Sequence, residues 1–104
     1  MKKLFIVTPN EDLVHLLDIQ NKIKSDIHQG VFLLNTYFRG YKELSNDLKS
    51  VTNTDVFNLS RMVEILALSD LLYFDSGFEK SETCLLLYNI ATRYNIPIYN
   101  NVEV

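Results

Sequence analysis

The sequence predicts an α/β domain with a short parallel sheet of about four strands in the order 2-1-3-4 and with helices on both faces. Short runs of continuously apolar residues, which are typical of strands buried on both faces, alternate with longer segments of helical periodicity. Right-handed crossovers between parallel strands then place helices on the two sides of the sheet. This is the three-layer, doubly wound arrangement of Rossmann-like and flavodoxin-like folds. The predicted strands are Lys3–Val7, Val31–Leu34, Leu71–Phe74 and Ile96–Tyr99.

Length and composition bound the kind of protein this can be. The chain has 104 residues, of which 47% are hydrophobic and 22% charged, and this predicts one domain over residues 1–104. A single cysteine excludes an internal disulfide and favours a reducing compartment, so we expect a cytoplasmic location. The net charge of −3 offers no basic surface for duplex nucleic acid. No apolar stretch approaches the roughly 20 residues of a membrane span, so a membrane partner is not expected either.

The first predicted helix follows the first strand directly. Asn10 is predicted to cap it, Glu11 and Asp12 occupy its first turn, and Gly30 ends it. The second strand is predicted to open into a loop over residues 35–40.

The other helices are placed by their apolar periodicity and by capping residues. A short surface helix is expected within residues 41–53, followed by a firmer helix, Asp55–Leu68, capped by Thr52 or Thr54. The last helix is predicted from about Ser81 to Tyr94.

The predicted strand order also predicts a ligand site. In an open α/β sheet, ligands bind outside the carboxyl ends of the strands where the strand order reverses. Here that crevice is expected to be walled by residues 8–10 and 75–82. Two carboxylates, Asp75 and Glu79, flank the turn at Gly77, and a cleft can separate the pKa values of such a pair for acid and base roles.

Further side chains at these strand ends are candidates for ligand contacts. Phe78 could stack on a base, Arg39 could hold a phosphate or carboxylate, and Asn100 and Asn101 could bind sugar hydroxyls. The structural alternatives are a core aromatic residue, a surface charge and a turn, respectively. The candidate ligand-binding residues are Thr8, Pro9, Asn10, Arg39, Phe78, Ser81, Asn100 and Asn101.

Other common site chemistries are not indicated. His15 and His28 are interpreted as structural residues of the first helix, away from the crevice, so neither a zinc site nor a histidine-based triad is predicted. Cys84, among leucines, is interpreted as a core residue. The glycines at positions 30, 40 and 77 are isolated and form no phosphate-binding motif, and no cofactor or metal is predicted.

A longer pattern resembles a known family. It consists of residues 69–74, residues 77–81, an apolar helix reaching Ala91, and the strand Ile96-Pro97-Ile98, with Phe5–Pro9 as the first strand and loop. This pattern is similar to the nucleoside 2-deoxyribosyltransferase-like superfamily, including its small bacterial and phage members. The resemblance implies a nucleoside- or nucleotide-like ligand. It also implies a homodimer or larger oligomer, because such relatives complete their pockets with a neighbour's C-terminal residues; the expected contacts are Asp55–Leu68 and the tail from Tyr99.

The resemblance also defines what this chain lacks. In the family, a glutamate six residues after the loop serine attacks the anomeric carbon, and counting six from Ser81 gives Leu87. Leucine can neither trap nor stabilise a cationic sugar. The expected function is therefore a catalytically reduced binding domain. The alternatives are an N-glycoside hydrolase or transferase with a relocated carboxylate, Asp75 or Glu79, and a phage-type scaffold for protein interactions.

Overall fold

The computed structural model describes residues 1–37, 52–100 and 102, and their fold is built on a three-stranded parallel sheet in the order β2-β1-β3. The elements are β1 (Lys2–Val7), α1 (Leu13–Ile27), β2 (Val31–Leu33), α2 (Leu34–Tyr37), α3 (Thr54–Leu68), β3 (Leu71–Phe74), a 3-10 turn (Phe78–Lys80) and α4 (Glu82–Arg93). The parallel α/β character and the 2-1-3 order agree with the prediction.

The sheet has a separate core on each face because successive strand residues point to opposite sides. On one face, α1 packs through Leu16, Ile19 and Ile23 against alternate residues of β1 and β2. On the other face, α3 and α4 pack against Phe5 and Val7 of β1 and against β3. Helices therefore cover both faces of the sheet.

The fourth predicted strand, Ile96–Tyr99, is reduced to one parallel bridge between Ile98 and Leu72. Leu72 donates its N–H to the Pro97 carbonyl and accepts from the Tyr99 N–H, at 2.9 and 2.7 Å. This segment lies beside β3, where the order 2-1-3-4 placed it, but it forms no regular strand. The central strand of the three-stranded sheet is β1.

Two asparagine side chains extend the sheet beyond its backbone pairing. β2 pairs Leu33 with Leu4, and two residues further along Asn35 bonds both backbone groups of Ile6, each at 2.8 Å. After the bridge at Ile98, Asn100 bonds both backbone groups of Phe74, at 3.1 and 2.7 Å. A carboxamide carries the same donor and acceptor as a peptide unit, so each side chain replaces the next rung of the ladder.

The loop between β1 and α1 is longer than predicted. Asp12 caps α1 by accepting from the His15 N–H, so Glu11 and Asp12 precede the helix and do not form its first turn. Asn10 instead turns the chain: its carboxamide accepts from the Asp12 N–H, and its own N–H binds the Thr8 hydroxyl. The left-handed residue that ends α1 is His28, with φ 55°, and not Gly30.

The remaining helices also differ from prediction at their ends. Asn53 caps α3, in place of Thr52 or Thr54, by accepting from the Val56 N–H. Ser81, at which the last helix was predicted to begin, is the residue that caps α4. Residues 34–37 form the short helix α2, although Leu34 was predicted to end the second strand and residues 35–40 to form a loop. The predicted surface helix falls mostly on residues 41–51, outside the described residues. Within the described ranges, no helix has the length and apolarity to cross a membrane.

Candidate functional site

Three side chains meet at the carboxyl end of the sheet. The Thr8 hydroxyl, at the end of β1, donates to Asp75 Oδ2 at 2.7 Å, and His15 Nε2 lies 2.6 Å from the same oxygen. Asp75 directly follows β3, and its backbone N–H bonds the Val7 carbonyl as the last rung between the two strands. The cluster therefore joins the end of β1, the first turn of α1 and the end of β3.

The environment of Asp75 holds its carboxylate in the ionised form. Burial alone would raise its pKa, but hydrogen bonds from the Thr8 hydroxyl, from His15 and from the Ser76 backbone N–H act in the opposite direction. The net result is a pKa below the ordinary value for aspartate. An ionised carboxylate only accepts hydrogen bonds, so His15 Nε2 must carry a proton, which leaves Nδ1 as the nitrogen away from Asp75.

A cavity of about 230 Å³ adjoins this cluster, and we call it the β1–α4 cavity. One wall is the end of β1 and the residues after it, including Thr8, Pro9 and Glu11. The first half of α4 and its capping residue Ser81 form another part of the lining, and α3 contributes Met62. The full lining is Phe5, Ile6, Val7, Thr8, Pro9, Glu11, Met62, Ser81, Thr83, Cys84 and Leu87. Apolar side chains and a few hydroxyl and carboxyl groups thus share one concave space, as in small-molecule sites.

A second concave surface, the β3 depression, lies beyond the end of β3. It is wider and more open than the β1–α4 cavity, with a volume of about 500 Å³. Its lining is Tyr73, Phe74, Asp75, Ser76, Gly77, Phe78, Glu79, Asn100 and Val102. The single predicted crevice is therefore two spaces, and the Thr8–Asp75 hydrogen bond spans the boundary between their linings.

The structure divides the predicted site residues between these spaces. Thr8, Pro9 and Ser81 line the β1–α4 cavity, whereas Asp75, Phe78, Glu79 and Asn100 line the β3 depression. Asn10 is exposed and shapes the loop after β1. Arg39 and Asn101 lie outside the described residues.

Two predicted ligand contacts are corrected by the structure. The ring of Phe78 is only 4% exposed and packs against Phe74 and Tyr88, with ring centroids 5.1 and 5.4 Å away, so it presents no free face to a base. Both ends of the Asn100 carboxamide are bonded to the backbone of Phe74. Phe78 is a core residue and Asn100 a sheet-extending residue, which are structural roles.

The carboxylate pair does not share one environment. Asp75 has a side chain only 10% exposed and is held by Thr8 and His15, while Glu79 is exposed on the 3-10 turn. With its pKa lowered, Asp75 is suited to stabilise a positive charge and not to act as a general acid, and the same shift makes it a weaker base.

The sequence pattern misplaced His15. It was expected to lie away from the crevice, yet it contacts Asp75. The error follows from starting the helix at Asn10: when Asp12 is the cap, His15 falls in the first turn, beside the strand ends. Asn10 and Asp12 both follow Pro9, and both can bond a backbone N–H two or three residues later. The second of them, Asp12, was the signal that the helix starts later.

Cys84 behaves as the core residue that was predicted, but it also lines the β1–α4 cavity. Burial raises the pKa of its thiol; the Ser81 hydroxyl acts against this, and the charges of Glu11 and Asp75 add to it. The thiol is therefore protonated at neutral pH, which disfavours a role as nucleophile.

The part of the chain that the structure describes contains no group of three or more His, Cys, Asp and Glu side chains placed to hold a metal ion.

Comparisons with protein-family models, with curated proteins and with solved structures gave no match.

Proposed function

We propose that this protein binds a nucleoside- or nucleotide-like ligand in the β1–α4 cavity and does not cleave it. The observation that carries the proposal is the composition of the cavity lining at α4. Ser81 and Thr83 are partly exposed, so we take them to form the mouth, whereas Leu87, one turn further along the helix, is buried. Hydroxyl groups at the mouth can orient a sugar, while an apolar interior accepts the flat face of a base or sugar ring.

The size of the cavity indicates how much of a ligand it encloses. Small-molecule sites usually measure about 300–1,000 Å³, and the β1–α4 cavity, at about 230 Å³, lies just below that range. It is suited to one sugar or one base, with the remainder of the ligand lying across its mouth.

The absence of cleavage rests on the side chain at position 87. Leu87 is 1% exposed and belongs to the core cluster of α3, α4 and the sheet. In the resembling family this position carries the attacking carboxylate, and leucine offers no charge to the cationic transition state of an N-glycosidic bond. Pocket shape and the hydroxyl of Ser81 do not depend on that carboxylate.

The test is a thermal-shift assay with deoxyribonucleosides, ribonucleosides, nicotinamide nucleotides and signalling nucleotides. A ligand at 100 times its Kd should stabilise the fold by about 2.7 kcal/mol, and chromatography of the same samples should show no free base. Thr83→Phe, which fills the mouth of the cavity, should abolish the shift. Thr92→Phe, at an exposed position on the same helix, is the matched control and should retain it. No shift with any compound, or a shift that survives Thr83→Phe, would contradict the proposal.

A residual N-glycoside hydrolase or transferase is the second candidate, and the ionised carboxylate of Asp75 favours it. That carboxylate accepts a hydrogen bond from Thr8, which lines the cavity, while Asp75 itself lines the neighbouring β3 depression. Release of free base that is lost in Asp75→Asn but kept in Glu79→Gln would establish this function. A panel with neither base release nor thermal shift would favour the interaction-scaffold alternative.

We also propose that the protein is a homodimer or larger oligomer that uses α3 and the C-terminal tail. Two apolar side chains of α3, Val56 and Leu68, are 60% and 46% exposed. The tail is held near α4 by the Tyr88 hydroxyl, which donates to the Val102 carbonyl at 3.0 Å. Sedimentation should show an oligomer at micromolar concentration that Val56→Asp and Leu68→Asp together dissociate; a monomer at that concentration would refute the proposal.

A further inference from the structure

The imidazole ring of His15 is held by a buried carboxylate at one of its two nitrogens. Nε2 lies 2.6 Å from Asp75 Oδ2, and the side chains of His15 and Asp75 are 36% and 10% exposed. The Thr8 hydroxyl donates to the same carboxylate oxygen at 2.7 Å and so fixes its orientation. The ring therefore has one nitrogen in a fixed hydrogen bond and a second nitrogen, Nδ1, that this bond leaves free.

Solvent reaches His15 Nδ1. Among the described residues, the buried side-chain atoms without a hydrogen-bond partner are Asn58 Oδ1 and Arg61 Nε. His15 Nδ1 also has no partner in the described part of the chain, yet it does not belong to this buried set. In the neutral ring the proton lies on Nε2, which faces Asp75, so Nδ1 carries the lone pair. A small electrophile in solution can therefore reach this lone pair.

The carboxylate of Asp75 makes Nδ1 a better nucleophile. When Nδ1 forms a new covalent bond, the ring becomes positively charged, and an ionised carboxylate at Nε2 stabilises that charge through a charge-assisted hydrogen bond. The burial of Asp75 strengthens this interaction, because the local dielectric is lower than that of water. Asp75 acts through His15 and is a positioning residue.

The position of His15 in α1 favours an anionic group on this nitrogen. Asp12 caps the helix, so His15 lies in its first turn, where the helix dipole stabilises negative charge. The backbone N–H groups of Leu13 and Val14 have no acceptor among the described residues. The carboxylate of Asp12 opposes a new negative charge, but Asp12 is exposed and water and salt screen it.

We propose that His15 is a phosphoryl-acceptor site, with Nδ1 as the nucleophile and with Asp75 holding the ring. The donor is a small activated phosphoryl compound of the phosphoramidate class. Nδ1 attacks the phosphorus atom, the P–N bond of the donor breaks, and the electron pair leaves with the nitrogen, which is already protonated in the donor and departs as ammonia. The product is a phosphohistidine whose Nε2 still faces Asp75. This proposal does not depend on what the β1–α4 cavity binds.

The test treats the full chain with potassium phosphoramidate and follows each histidine by peptide mass spectrometry, with ³¹P NMR to identify the nitrogen that is modified. His28 is the internal control, because it is exposed, lies at the other end of α1 and contacts no carboxylate among the described residues. His15 should react about tenfold faster than His28 although it is less exposed, and its initial product should be the Nδ1 isomer. In urea that unfolds the chain, the two histidines should react at similar rates.

Substitutions separate the nucleophile from a structural role. His15→Gln should remove the fast-reacting site, whereas His28→Gln should leave it unchanged. Asp75→Asn keeps the size of the side chain and removes its charge, so modification of His15 should slow about tenfold. A carboxamide can accept from or donate to the ring, so both tautomers become available and the Nε2 isomer should appear as well. Lower stability alone would not change the isomer ratio in this way.

The comparison of His15 with His28 in the wild-type protein decides the question even if Asp75→Asn does not fold. Equal rates at the two histidines of the folded chain, an initial Nε2 product on His15, or an unchanged rate in folded Asp75→Asn would overturn the proposal. The presence or absence of a thermal shift with nucleosides has no bearing on these rates, so this proposal and the proposed function fail separately.

Discussion

Removal of the Asn35 carboxamide should destabilise the fold far more than its position after a strand suggests. Its side chain bonds both the N–H and the carbonyl of Ile6 at 2.8 Å, and Ile6 is 1% exposed on the central strand. In Asn35→Ala, both backbone groups lose their partner. Each unsatisfied buried group costs about 1–3 kcal/mol, and partial replacement by water gives a total loss of about 2–4 kcal/mol.

Asn35→Asp is the sharper variant of the same experiment. It keeps an acceptor for the Ile6 N–H but places a carboxylate oxygen against the Ile6 carbonyl, so we expect a loss at least as large as that of Asn35→Ala. Asn89→Ala, at an exposed position of α4, is the control and should change stability by less than about 0.5 kcal/mol.

The assay is urea unfolding followed by circular dichroism, with amide exchange of Ile6 measured by NMR. The unfolding midpoint of Asn35→Ala should fall while the slope m stays constant, because the surface exposed on unfolding is unchanged. Exchange at Ile6 should accelerate with it. A loss of stability equal to that of Asn89→Ala would refute the view that the carboxamide serves as a rung of the sheet.

Three further predictions use the same unfolding assay. Leu72→Ala removes a fully buried side chain of β3 and should cost about 2–5 kcal/mol; a loss below about 0.5 kcal/mol would mean that β3 is not core. Because the pKa of Asp75 is lowered in the folded state, its ionised form stabilises the fold above the unfolded-state pKa of about 3.9, and this stabilisation is lost as the pH falls through the folded-state pKa. The stability difference between the wild-type protein and Asp75→Asn should therefore be constant at neutral pH and shrink below about pH 4; a difference that grows on acidification would contradict the lowered pKa. Gly77 has φ 86° and open space where a Cβ would project, so Gly77→Ala should cost only the backbone strain of about 1–2 kcal/mol, and Gly77→Asn less.

The strands of the sheet could be predicted from the sequence where a continuous apolar run ends at residues that favour a turn. The runs that form β1, β2 and β3 carry their own burial signal, and their order follows from right-handed crossovers. The fourth run, Ile96–Tyr99, carries the same signal but forms one bridge. Pro97 has no N–H for the ladder, and Asn100 takes over the next rung with its side chain, which strand periodicity does not reveal.

The sequence predicted the position of the candidate site better than the side-chain contacts within it. Strand order located the site at the ends of β1 and β3, where Thr8 and Asp75 meet. The partner His15 was missed because the turn at Asn10 delays the helix, a detail set by side-chain hydrogen bonds. Phe78 was misjudged because its burial depends on Tyr88, ten residues later on another element.

The most direct test of the binding proposal is a two-dimensional ¹H–¹⁵N NMR titration with the nucleoside or nucleotide that gives the largest thermal shift. The account predicts saturable shift changes at backbone amides of the β1–α4 cavity, such as those of Thr8, Thr83 and Cys84, with no free base appearing in the proton spectrum. Amides of the β3 depression, such as Tyr73 and Glu79, should change little. Changes confined to the β3 depression, or the appearance of free base during the titration, would contradict the claim that the β1–α4 cavity binds such a ligand without cleaving it.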